Sequence, residues 1–458
     1  MTSQSTGRPG HLYGSEADAE TQRRAFRDGS VPVAVYGLGK MGLPLAAVYA
    51  DVTGNAVGVD VDESVVRTVN EGGCHVPREP GLPELVADVV DGGALAATTD
   101  GDSAAERAAI HVAMVPTLLT DAREPDLSML SAVAETVATG LSPGDLVVVE
   151  STVPPGTCRD LVVPTLEAGS DLSLGEFGVA CCPERTLSGR ALADIRGTHP
   201  KVVGGVDAES TRAAELVYGE ITDNDVLTVS DAATAAAVKV FEGVYRDVNI
   251  ALANQLALYA RALDVDTNEA IEIANTQPFC DIHDPGPGVG GHCIPVYPYF
   301  LARQFDVDAP LLETARELND RMASHTVEKL DAILDSEGVP TRDATVLLLG
   351  VTYRANAAEL RNAPSVPIAR QLQDRGATVL AVDPLVDDWD AFGDVEALSL
   401  AAARERPVDA VALLTPHDEF LELDWGAVDA PVLDGRSALD AETIPAPVYT
   451  IGGRWPTG

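Results

Sequence analysis

An apolar strand that leads directly into a glycine fingerprint and a helix is the feature that most constrains this fold. Residues 31–36 read Val-Pro-Val-Ala-Val-Tyr, and Gly37, Gly39 and Gly42 follow in GxGxxG spacing before an apolar run at 43–50. In that context the glycines make a tight turn, admit a pyrophosphate and let the helix pack on the strand. The helix N-terminus favours the phosphate charge. A nucleotide-free strand–turn–helix is the alternative interpretation.

A carboxylate at the end of the next strand indicates which dinucleotide would bind. The apolar run 56–59 ends at Asp60, 18 residues after Gly42. A carboxylate there accepts hydrogen bonds from the adenosine ribose 2′-hydroxyl and repels a 2′-phosphate, which favours NAD over NADP. A solvated aspartate at a strand end is the other interpretation. The residues predicted to contact NAD here are Gly37, Gly39, Lys40, Met41, Gly42 and Asp60.

Strand-like and helical stretches then alternate up to residue 182, which is typical of a parallel sheet covered on both faces. The predicted strands are 109–115, 145–152 and 178–182, and the helices between them are 127–139 and 157–166. Ligands of such sheets bind beyond the carboxyl ends of the strands. Each polar residue at these ends is a site candidate or simply a cap or turn; they are Thr117, Thr152, Glu184 and Arg185.

A proline-free helical pattern runs from 231 to 263. Its length predicts a helix that joins two domains, and its apolar face is a candidate dimer surface. Polar residues near one stripe of this helix are Lys239, Glu242, Arg246 and Asn249. An exposed, ion-paired face is the plain interpretation; an ammonium that faces the sheet would instead stabilise an oxyanion or move a proton.

A helix at 310–337 introduces a second alternating half. Its predicted strands are 344–350, 377–382, 409–414 and 431–434, with a helix near 364–374. No glycine fingerprint accompanies them, so this half is predicted to bind a different nucleotide or none. Arg354 and Arg361 follow the first strand, where guanidinium groups either hold an anionic diphosphate or are solvated.

Residues 286–295 form a glycine-dominated run, Gly-Pro-Gly-Val-Gly-Gly-His-Cys-Ile-Pro. Glycine permits turns closed to other residues and lets a ligand approach the main chain. The loop can present Cys293 as a thiolate nucleophile and aim backbone N–H groups at an oxyanion. A turn with an inert buried cysteine is the alternative. The six cysteines are scattered, which argues against disulfides, and no second spaced pair completes a metal site.

Composition excludes several partners. Asp and Glu number 71 against 31 Lys and Arg, a net charge of −40. A surface this acidic repels nucleic acid and anionic lipid. No apolar run approaches ~20 residues and no signal peptide is evident, so we expect a cytoplasmic protein without a membrane partner. Acid-rich, lysine-poor surfaces suit a salt-rich cytoplasm, and we therefore predict a halophilic protein that needs molar salt to stay folded.

Six ordered motifs resemble those of the UDP-glucose/GDP-mannose dehydrogenase family over residues 31–453. They lie at 37–44, 150–156, 182–185, 239–254, 286–295 and 359–361, and Gly-Gly-His-Cys is the most specific. The resemblance implies an α/β fold of two Rossmann-like, doubly wound parallel-sheet domains joined by a long central helix. The implied divisions are a flexible tail (1–30), an NAD-binding domain (31–215), a central dimerisation region with the cysteine loop (216–325) and a UDP-sugar-binding domain (326–458).

The resemblance also implies a reaction for glycan precursor synthesis. The C6 alcohol of a nucleotide sugar is oxidised to a carboxylate with two NAD⁺ and no metal, through an aldehyde, a thiolate adduct and a thioester that water hydrolyses. By resemblance Cys293 is the nucleophile, Glu184 the acid/base and Lys239 the oxyanion stabiliser, while Thr152 positions water. Further implied NAD contacts are Thr117, Thr152 and Arg361; implied substrate contacts are Glu184, Arg185, Lys239, Arg246, Asn249, Gly290 and Arg354.

The motif details favour one substrate branch. The sequences at 42–44, 182–185 and 290–293 are similar to UDP-N-acetylhexosamine enzymes, with UDP-N-acetylmannosamine (UDP-ManNAc) favoured and UDP-glucose the runner-up. Two positions depart from the family pattern: Tyr297 stands where Asp is usual, and Gly243 where Asn is usual. The rival interpretations are a two-electron 3-hydroxyacid dehydrogenase, which does not need Cys293, and a catalytically silent nucleotide-binding protein.

Overall fold

The computed structural model describes residues 10–186 and 189–456, and the chain divides into two compact units, Met1–Phe241 and Glu242–Gly458. The division falls inside the helix Ala232–Leu258. Each unit has its own sheet, whose apolar strands are covered by helices. This is the α/β architecture of two Rossmann-like sheets and a long central helix that the sequence predicted.

The sheet of the first unit has eight strands within the described residues. Their spatial order is Val226–Thr228, Lys201–Gly205, Gly178–Cys181, Leu146–Val149, Ile110–Ala113, Val33–Tyr36, Ala56–Val59 and Leu95–Thr98. Neighbours are parallel except the pair Gly178–Cys181 and Lys201–Gly205, which is antiparallel, a feature the sequence did not predict. A separate antiparallel ladder pairs Leu118–Leu119 with Pro125–Asp126. The central strands are buried throughout, because helices cover both faces.

Helices of the first unit begin at acidic caps in several cases. The side chains of Asp18, Asp62, Asp100 and Asp207 each accept a backbone N–H of the first helical turn. The helices are Ala19–Arg27, Gly42–Thr53, Glu63–Asn70, Leu82–Asp91, Gly101–Arg107, Ser128–Gly140, Val163–Gly169, Ala191–Ala193 and Ala208–Ile221, with π-helical turns Cys158–Val162 and Asp194–Thr198.

Residues 10–30 are part of the folded unit, so the expected flexible tail is wrong for them. Leu12 and Phe26 are fully buried. The Arg212 guanidinium donates to the Leu12 carbonyl over 2.7 Å, and the Tyr13 hydroxyl donates to Asp207 over 3.0 Å. The sequence did not reveal that this segment is folded, because it is mostly polar and the few residues that fix it have partners some 190 residues away. Residues 1–9 lie outside the described part of the chain.

The second unit has a six-stranded sheet within the described residues, with every neighbour parallel. Its order is Glu396–Ala397, Thr378–Val382, Thr345–Leu349, Ala410–Leu413, Val432–Asp434 and Val448–Thr450. Its helices are Ala260–Leu263, Thr267–Ala274, Tyr297–Ala302, Pro310–Ser336, Ser365–Asp374, Leu400–Ala403 and Asp418–Leu421, with 3-10 turns Thr341–Asp343, Asp390–Phe392, Trp425–Ala427 and Ala441–Thr443.

The predicted elements are present, and the differences concern short or peripheral pieces. The predicted helix over 231–263 ends at Leu258, and Ala260–Leu263 forms a separate turn of helix. Strands that the sequence did not predict are Leu95–Thr98, Leu118–Leu119, Pro125–Asp126, Lys201–Gly205, Val226–Thr228, Glu396–Ala397 and Val448–Thr450. Among the described residues, no helix combines the length and the apolar character needed to cross a bilayer. The predicted domain boundaries at 215/216 and 325/326 stay predictions.

Candidate active site

The glycine turn of the first unit has the form that the fingerprint predicts. Gly37 has φ +92°, and a Cβ there would lie 2.4 Å from the Met114 carbonyl oxygen. A Cβ on Gly42 would lie 1.8 Å from the carbonyl oxygen of Gly37, so the helix Gly42–Thr53 can start this close only with glycine. By contrast, nothing lies within 4 Å of a Cβ on Gly39. The open side of Gly39 leaves room for a phosphate to approach the main chain.

Asp60 follows the strand Ala56–Val59 and lies beside this turn. Its Oδ2 accepts the backbone N–H of Leu38 over 2.8 Å, and its Oδ1 accepts that of Asp62 over 3.0 Å. Each oxygen keeps acceptor capacity, and the side chain is partly exposed. The turn and the carboxylate together fit an adenine dinucleotide, and the exposed Lys40 lies within the same turn.

The strand ends that follow bring several predicted residues together. The Thr117 hydroxyl donates to the Thr152 carbonyl over 2.5 Å, and the Ser151 hydroxyl donates to the Val115 carbonyl over 2.8 Å. These bonds join the ends of the neighbouring strands Ile110–Ala113 and Leu146–Val149. The structure therefore unites Thr117 and Thr152 at the carboxyl edge of the sheet.

Glu184 follows the strand Gly178–Cys181, and its backbone is hydrogen-bonded to that of a buried glutamate, Glu150. The Glu184 N–H donates to the Glu150 carbonyl over 3.0 Å. Burial raises the pKa of Glu150, although the Lys201 ammonium at 2.7 Å and the Tyr218 hydroxyl oppose the rise. Sequence reasoning missed this cluster, because Lys201 and Tyr218 carry no local motif.

A small cleft of about 30 Å³ lies beside Glu184. Its polar lining includes Glu184, Arg185, Thr186, Asp194, His199 and Lys201. Arg185 donates to the Pro200 carbonyl over 2.9 Å, and Thr186 donates to the sulfur of Met41 over 3.0 Å. Met41 of the glycine turn is thereby tied to the segment that carries Glu184.

Lys239 lies on the helix Ala232–Leu258 and is half-buried. No described residue of its unit accepts a hydrogen bond from its ammonium. A half-buried ammonium without such an acceptor is suited to bind an anion or an oxyanion. Its assigned role stays a prediction.

In the second unit, the cysteine loop is clamped onto the segment that follows the strand Thr345–Leu349. The Gly291 N–H donates to the Arg361 carbonyl over 2.8 Å, and the Asn362 amide donates to the Gly291 carbonyl over 2.8 Å. A Cβ on Gly290 would lie 2.6 Å from Cβ of Tyr353. The glycines of this loop are thus required by contact with protein, whereas the sequence suggested room for a ligand.

Cys293 lies at the end of this loop and is half-buried, and its carbonyl accepts the N–H groups of Val296 and Tyr297, each over 3.0 Å. A hydrogen bond with the Cys293 side chain raises the pKa of His292, since it favours the protonated imidazole. An imidazolium beside a thiol in turn favours the thiolate. His292 is a functional candidate that the sequence reasoning did not name, although it adjoins the nucleophile.

The side chains around Tyr353 include several predicted site residues. Burial raises the pKa of Tyr353; the Arg354 and Arg246 cations oppose the rise, and Cys293 and Glu359 add to it. Arg354, Arg246 and Cys293 all lie close enough to Tyr353 to act on it electrostatically, and the predicted substrate contacts of the two arginines stay predictions. Arg361 contributes its carbonyl to the cysteine loop, and its guanidinium lies 3.9 Å from Glu359.

Arg436 is the largest omission of the sequence reasoning. It follows the strand Val432–Asp434, and a Cβ on Gly286 would lie 2.7 Å from one of its guanidinium nitrogens. Desolvation lowers its pKa to about 10, and no described carboxylate lies within ion-pair distance. Its long contacts are with carbonyls, at 3.4 Å to Leu414 and 3.4 Å to Gly288. A signal was available, since Arg436 lies just past a strand end.

Buried polar groups fix the start of the cysteine loop. Asn254 accepts the Gly286 N–H over 2.9 Å and donates to Asn319 over 2.9 Å. Asn319 donates to Asp247, which also pairs with Arg316. This network joins the helix Pro310–Ser336 to the loop.

Asn249 is used within the protein. Its amide donates to the Asp281 carbonyl over 2.6 Å and to the Tyr245 hydroxyl over 3.0 Å, and its oxygen accepts the His283 N–H over 2.9 Å. It therefore holds the segment that precedes the cysteine loop, and its predicted contact with substrate stays a prediction. Across the described residues, no group of three or more His, Cys, Asp or Glu side chains could hold a metal ion.

Comparison with known proteins identifies the relatives of this chain. Sequence models of the UDP-glucose/GDP-mannose dehydrogenase family match its NAD binding domain at 31–222, its central domain at 233–321 and its UDP binding domain at 347–441.

Characterised relatives match along nearly the whole chain. An NDP-N-acetyl-D-galactosaminuronic acid dehydrogenase from Ralstonia nicotianae is 35% identical over 90% of this chain and 97% of its own length. A UDP-N-acetyl-D-mannosamine dehydrogenase from Pyrococcus horikoshii is 33% identical over 89% and 96%. The solved structure of the UDP-D-ManNAc dehydrogenase from that organism superposes with a TM-score of 0.84 at 32% identity, covering 92% of this chain and 99% of the other.

A UDP-glucose dehydrogenase from Pyrobaculum islandicum also superposes, with a TM-score of 0.82 at 26% identity, covering 92% and 98%. The match to an NAD binding domain at 31–222 agrees with the glycine turn described above. This chain belongs to the UDP-glucose/GDP-mannose dehydrogenase family and is an NAD-dependent nucleotide sugar dehydrogenase.

Proposed function

We propose that this enzyme oxidises the C6 hydroxymethyl of a UDP-N-acetylhexosamine to the carboxylate in two NAD-dependent steps, with UDP-ManNAc as the favoured substrate. The observation that carries the proposal is the environment of Cys293. Its thiol is half-buried and hydrogen-bonded to His292, and its loop is held by the Arg361 carbonyl, which lies within the stretch that matches the UDP binding domain. The relatives named for N-acetylmannosamine and N-acetylgalactosaminuronic acid support an N-acetylated sugar.

NAD⁺, when bound, accepts one hydride from the substrate in each oxidation. The Cys293 thiolate adds to the aldehyde of the first oxidation, forming a C–S bond and an oxyanion that takes up a proton to give the thiohemiacetal. Loss of the second hydride and of that proton leaves a thioester. Water then attacks the thioester carbonyl and expels the thiolate, giving the carboxylate. One difficult oxidation becomes two easier ones, because a thiolate is both a good nucleophile and a tolerable leaving group.

Named residues serve each step. We assign proton transfer to and from water to Glu184, stabilisation of the oxyanion to Lys239 and orientation of water to Thr152. An oxyanion-stabilising donor of this kind contributes ~10²–10³ in turnover. His292 favours the thiolate before attack. Arg436 and Arg354, cations near the cysteine loop, are assigned to the diphosphate of the nucleotide sugar.

The test is a count of NADH formed per sugar consumed, at high KCl. UDP-ManNAc, UDP-GalNAc, UDP-GlcNAc and UDP-glucose are compared, and UDP-ManNAc is expected to give two NADH per sugar with the highest kcat/KM. Cys293→Ser is expected to lose the uronate product. One NADH per sugar in the unaltered enzyme, or full NADH production by Cys293→Ser, would refute the thioester route.

UDP-glucose is the second candidate substrate, favoured by the likeness to the Pyrobaculum islandicum structure. The same assay decides between the two. A kcat/KM for UDP-glucose above that for every N-acetylated sugar would assign the enzyme as a UDP-glucose 6-dehydrogenase that yields UDP-glucuronate.

We further propose a homodimer that forms through the central helix. Large apolar or aromatic side chains stand exposed at seven-residue spacing, Tyr245 and Leu252 on that helix and Tyr259 directly after it. A spacing of seven places them on one stripe, as a helix–helix interface requires. Light scattering at high salt should give twice the 47.8 kDa chain mass, and Leu252→Glu should reduce it to the monomer value.

A further inference from the structure

Gly243 lies inside the helix Ala232–Leu258, where glycine is less favourable than alanine. A Cβ at this position would lie 2.3 Å from Cδ2 of Tyr297, 3.1 Å from its Cγ and 3.2 Å from its Cβ. The atoms in the way include the stem of the tyrosine, so a small rotation of a flexible end cannot relieve the contact. Gly243 therefore forms a notch that the tyrosine ring occupies.

Tyr297 is bound to the nucleophile through the main chain. Its N–H donates to the Cys293 carbonyl over 3.0 Å, at the start of the helix Tyr297–Ala302. The side chain is 6% exposed, and its ring centroid lies 5.7 Å from that of Phe300. Because one backbone turn joins Cys293 to Tyr297, a shift of the ring is transmitted to the cysteine.

The other side of Cys293 is held independently. The Gly291 N–H donates to the Arg361 carbonyl, and Gly291 packs against the ring of Tyr353. A Cβ on Gly291 would lie 2.9 Å from Cε2 of that ring. Cys293 is thus anchored on its N-terminal side by the clamp at 290–291 and on its C-terminal side by Tyr297 on Gly243. The two positions that depart from the family's sequence pattern prove to be in direct contact.

We propose that the Tyr297 ring seated on Gly243 is a lock that positions the Cys293 thiol. The lock rests on the role of Cys293 in the proposed function. Tyr297 is a positioning residue, since it acts through the backbone of 293–297, and neither residue is assigned a contact with the reacting atoms.

The first test measures the rate at which iodoacetamide alkylates Cys293, resolved by peptide mass spectrometry because Cys74 and Cys280 are also partly exposed. Gly243→Ala is expected to change this rate and to lower kcat by about tenfold or more, with KM for the sugar within about twofold. Gly219→Ala is the matched control, since Gly219 is also helical and nothing lies within 4 Å of its would-be Cβ. It should leave the alkylation rate and kcat unchanged.

A double-mutant cycle tests the coupling. Tyr297→Ala removes the ring and leaves only the 3.2 Å contact with Cβ, so adding Gly243→Ala to it should change alkylation and kcat much less than it does in the unaltered protein. Tyr297→Phe keeps the ring and should stay within about twofold of the unaltered protein. If Gly243→Ala does not fold, the Tyr297→Ala and Tyr297→Phe pair still decides whether the ring sets the thiol's reactivity.

Two results would overturn the lock. One is a lowered melting temperature in Gly243→Ala with the alkylation rate and kcat both unchanged, because this would show that Gly243 has a purely structural role. The other is a Gly243→Ala penalty of equal size with and without the ring. Alkylation needs no sugar nucleotide, so absence of UDP-sugar oxidation would defeat the proposed function and leave this test intact.

Discussion

The two sheets carry the same turn at the carboxyl end of a central strand and differ in how the turn is used. Gly37 has φ +92° and lies against the Met114 carbonyl; Gly350 has φ +75° and lies against the Thr415 carbonyl. In each case the glycine N–H donates to the last residue of the adjacent strand, Val59 or Val382.

The carboxylates beside these turns show where the sheets diverge. Asp60 accepts two backbone N–H groups and is partly exposed, so it retains capacity for a ribose hydroxyl. Asp383 accepts the N–H groups of Val351, Thr352 and Leu385 and bonds to the His417 ring at 3.0 Å, all in the interior. The first carboxylate can recognise a ligand, whereas the second is consumed in holding its own domain together. In the second unit the proposed nucleotide contacts are cations, Arg354 and Arg436, instead of a carboxylate.

The largest expected effect is common to both units, because the acidic surface belongs to the whole chain. With a net charge of −40, transfer from molar KCl into dilute buffer should unfold the protein through charge repulsion. Circular dichroism reports on both units, while Trp389, Trp425 and Trp455 make fluorescence specific to the second. Retained ellipticity after dialysis would contradict the expectation, and a change in only one signal would assign the salt requirement to one unit.

Variants that weaken one ligand site at a time test whether the two units bind different ligands. Gly37→Ala places a methyl 2.4 Å from the Met114 carbonyl and should weaken NAD binding by about 100-fold or more with UDP affinity unchanged. Arg436→Gln should weaken UDP binding by about tenfold or more with NAD affinity unchanged. Calorimetry measures both ligands on both variants.

Gly54→Ala is the control for the first variant. Gly54 also has positive φ, at +68°, but nothing lies within 4 Å of its would-be Cβ. It should cost about 1 kcal/mol of stability without altering NAD affinity. If Gly37→Ala or Arg436→Gln lowered the affinities for NAD and for UDP to a similar extent, the two units would not bind the two ligands separately.

A smaller effect should distinguish the two carboxylates. Asp60→Asn should reduce the preference for NAD over NADP by about tenfold, because a negative charge beside the 2′-phosphate is removed, with little change in stability. Asp383→Asn should leave that preference intact and lower the free energy of unfolding by about 2–4 kcal/mol, since buried donors lose their acceptor. A loss of stability in Asp60→Asn as large as in Asp383→Asn would show that both are structural.

The smallest expected effect is a pH dependence of the Asp383 contribution. Burial alone would raise the pKa of Asp383, but hydrogen bonds from His417 and from the Val351 and Leu385 N–H groups outweigh it and hold the pKa below its ordinary value. A lowered folded pKa stabilises above the unfolded value, about 3.9, and that stabilisation is lost as pH falls through the folded pKa. The stability gap between the unaltered protein and Asp383→Asn should stay constant above about pH 5 and narrow below about pH 4. Urea unfolding at constant salt measures the gap, and a gap that widens on acidification would contradict this.

Local motifs carried most of what could be predicted about the site. The NAD turn and Asp60 depend on residues close in sequence, and the thiol candidate Cys293 stands in a recognisable run. The structural role of Asn249 and the position of Arg436 were missed for the same reason: their partners are remote in the sequence. Asn249 holds the segment at 281–283, and the Arg436 guanidinium is buried without a described carboxylate as its ion-pair partner.

The sequence by itself determined the alternation of strands and helices and the glycine turn of a dinucleotide-binding domain, and it singled out the cysteine that we propose as nucleophile, since hydrophobic periodicity and backbone permissiveness act over a few residues. Only the tertiary structure decided why the cysteine loop is so rich in glycine, why residues 10–30 are folded and why Gly243 accompanies Tyr297. Those features depend on close contacts between segments far apart in the chain, and no local pattern records which atoms will meet.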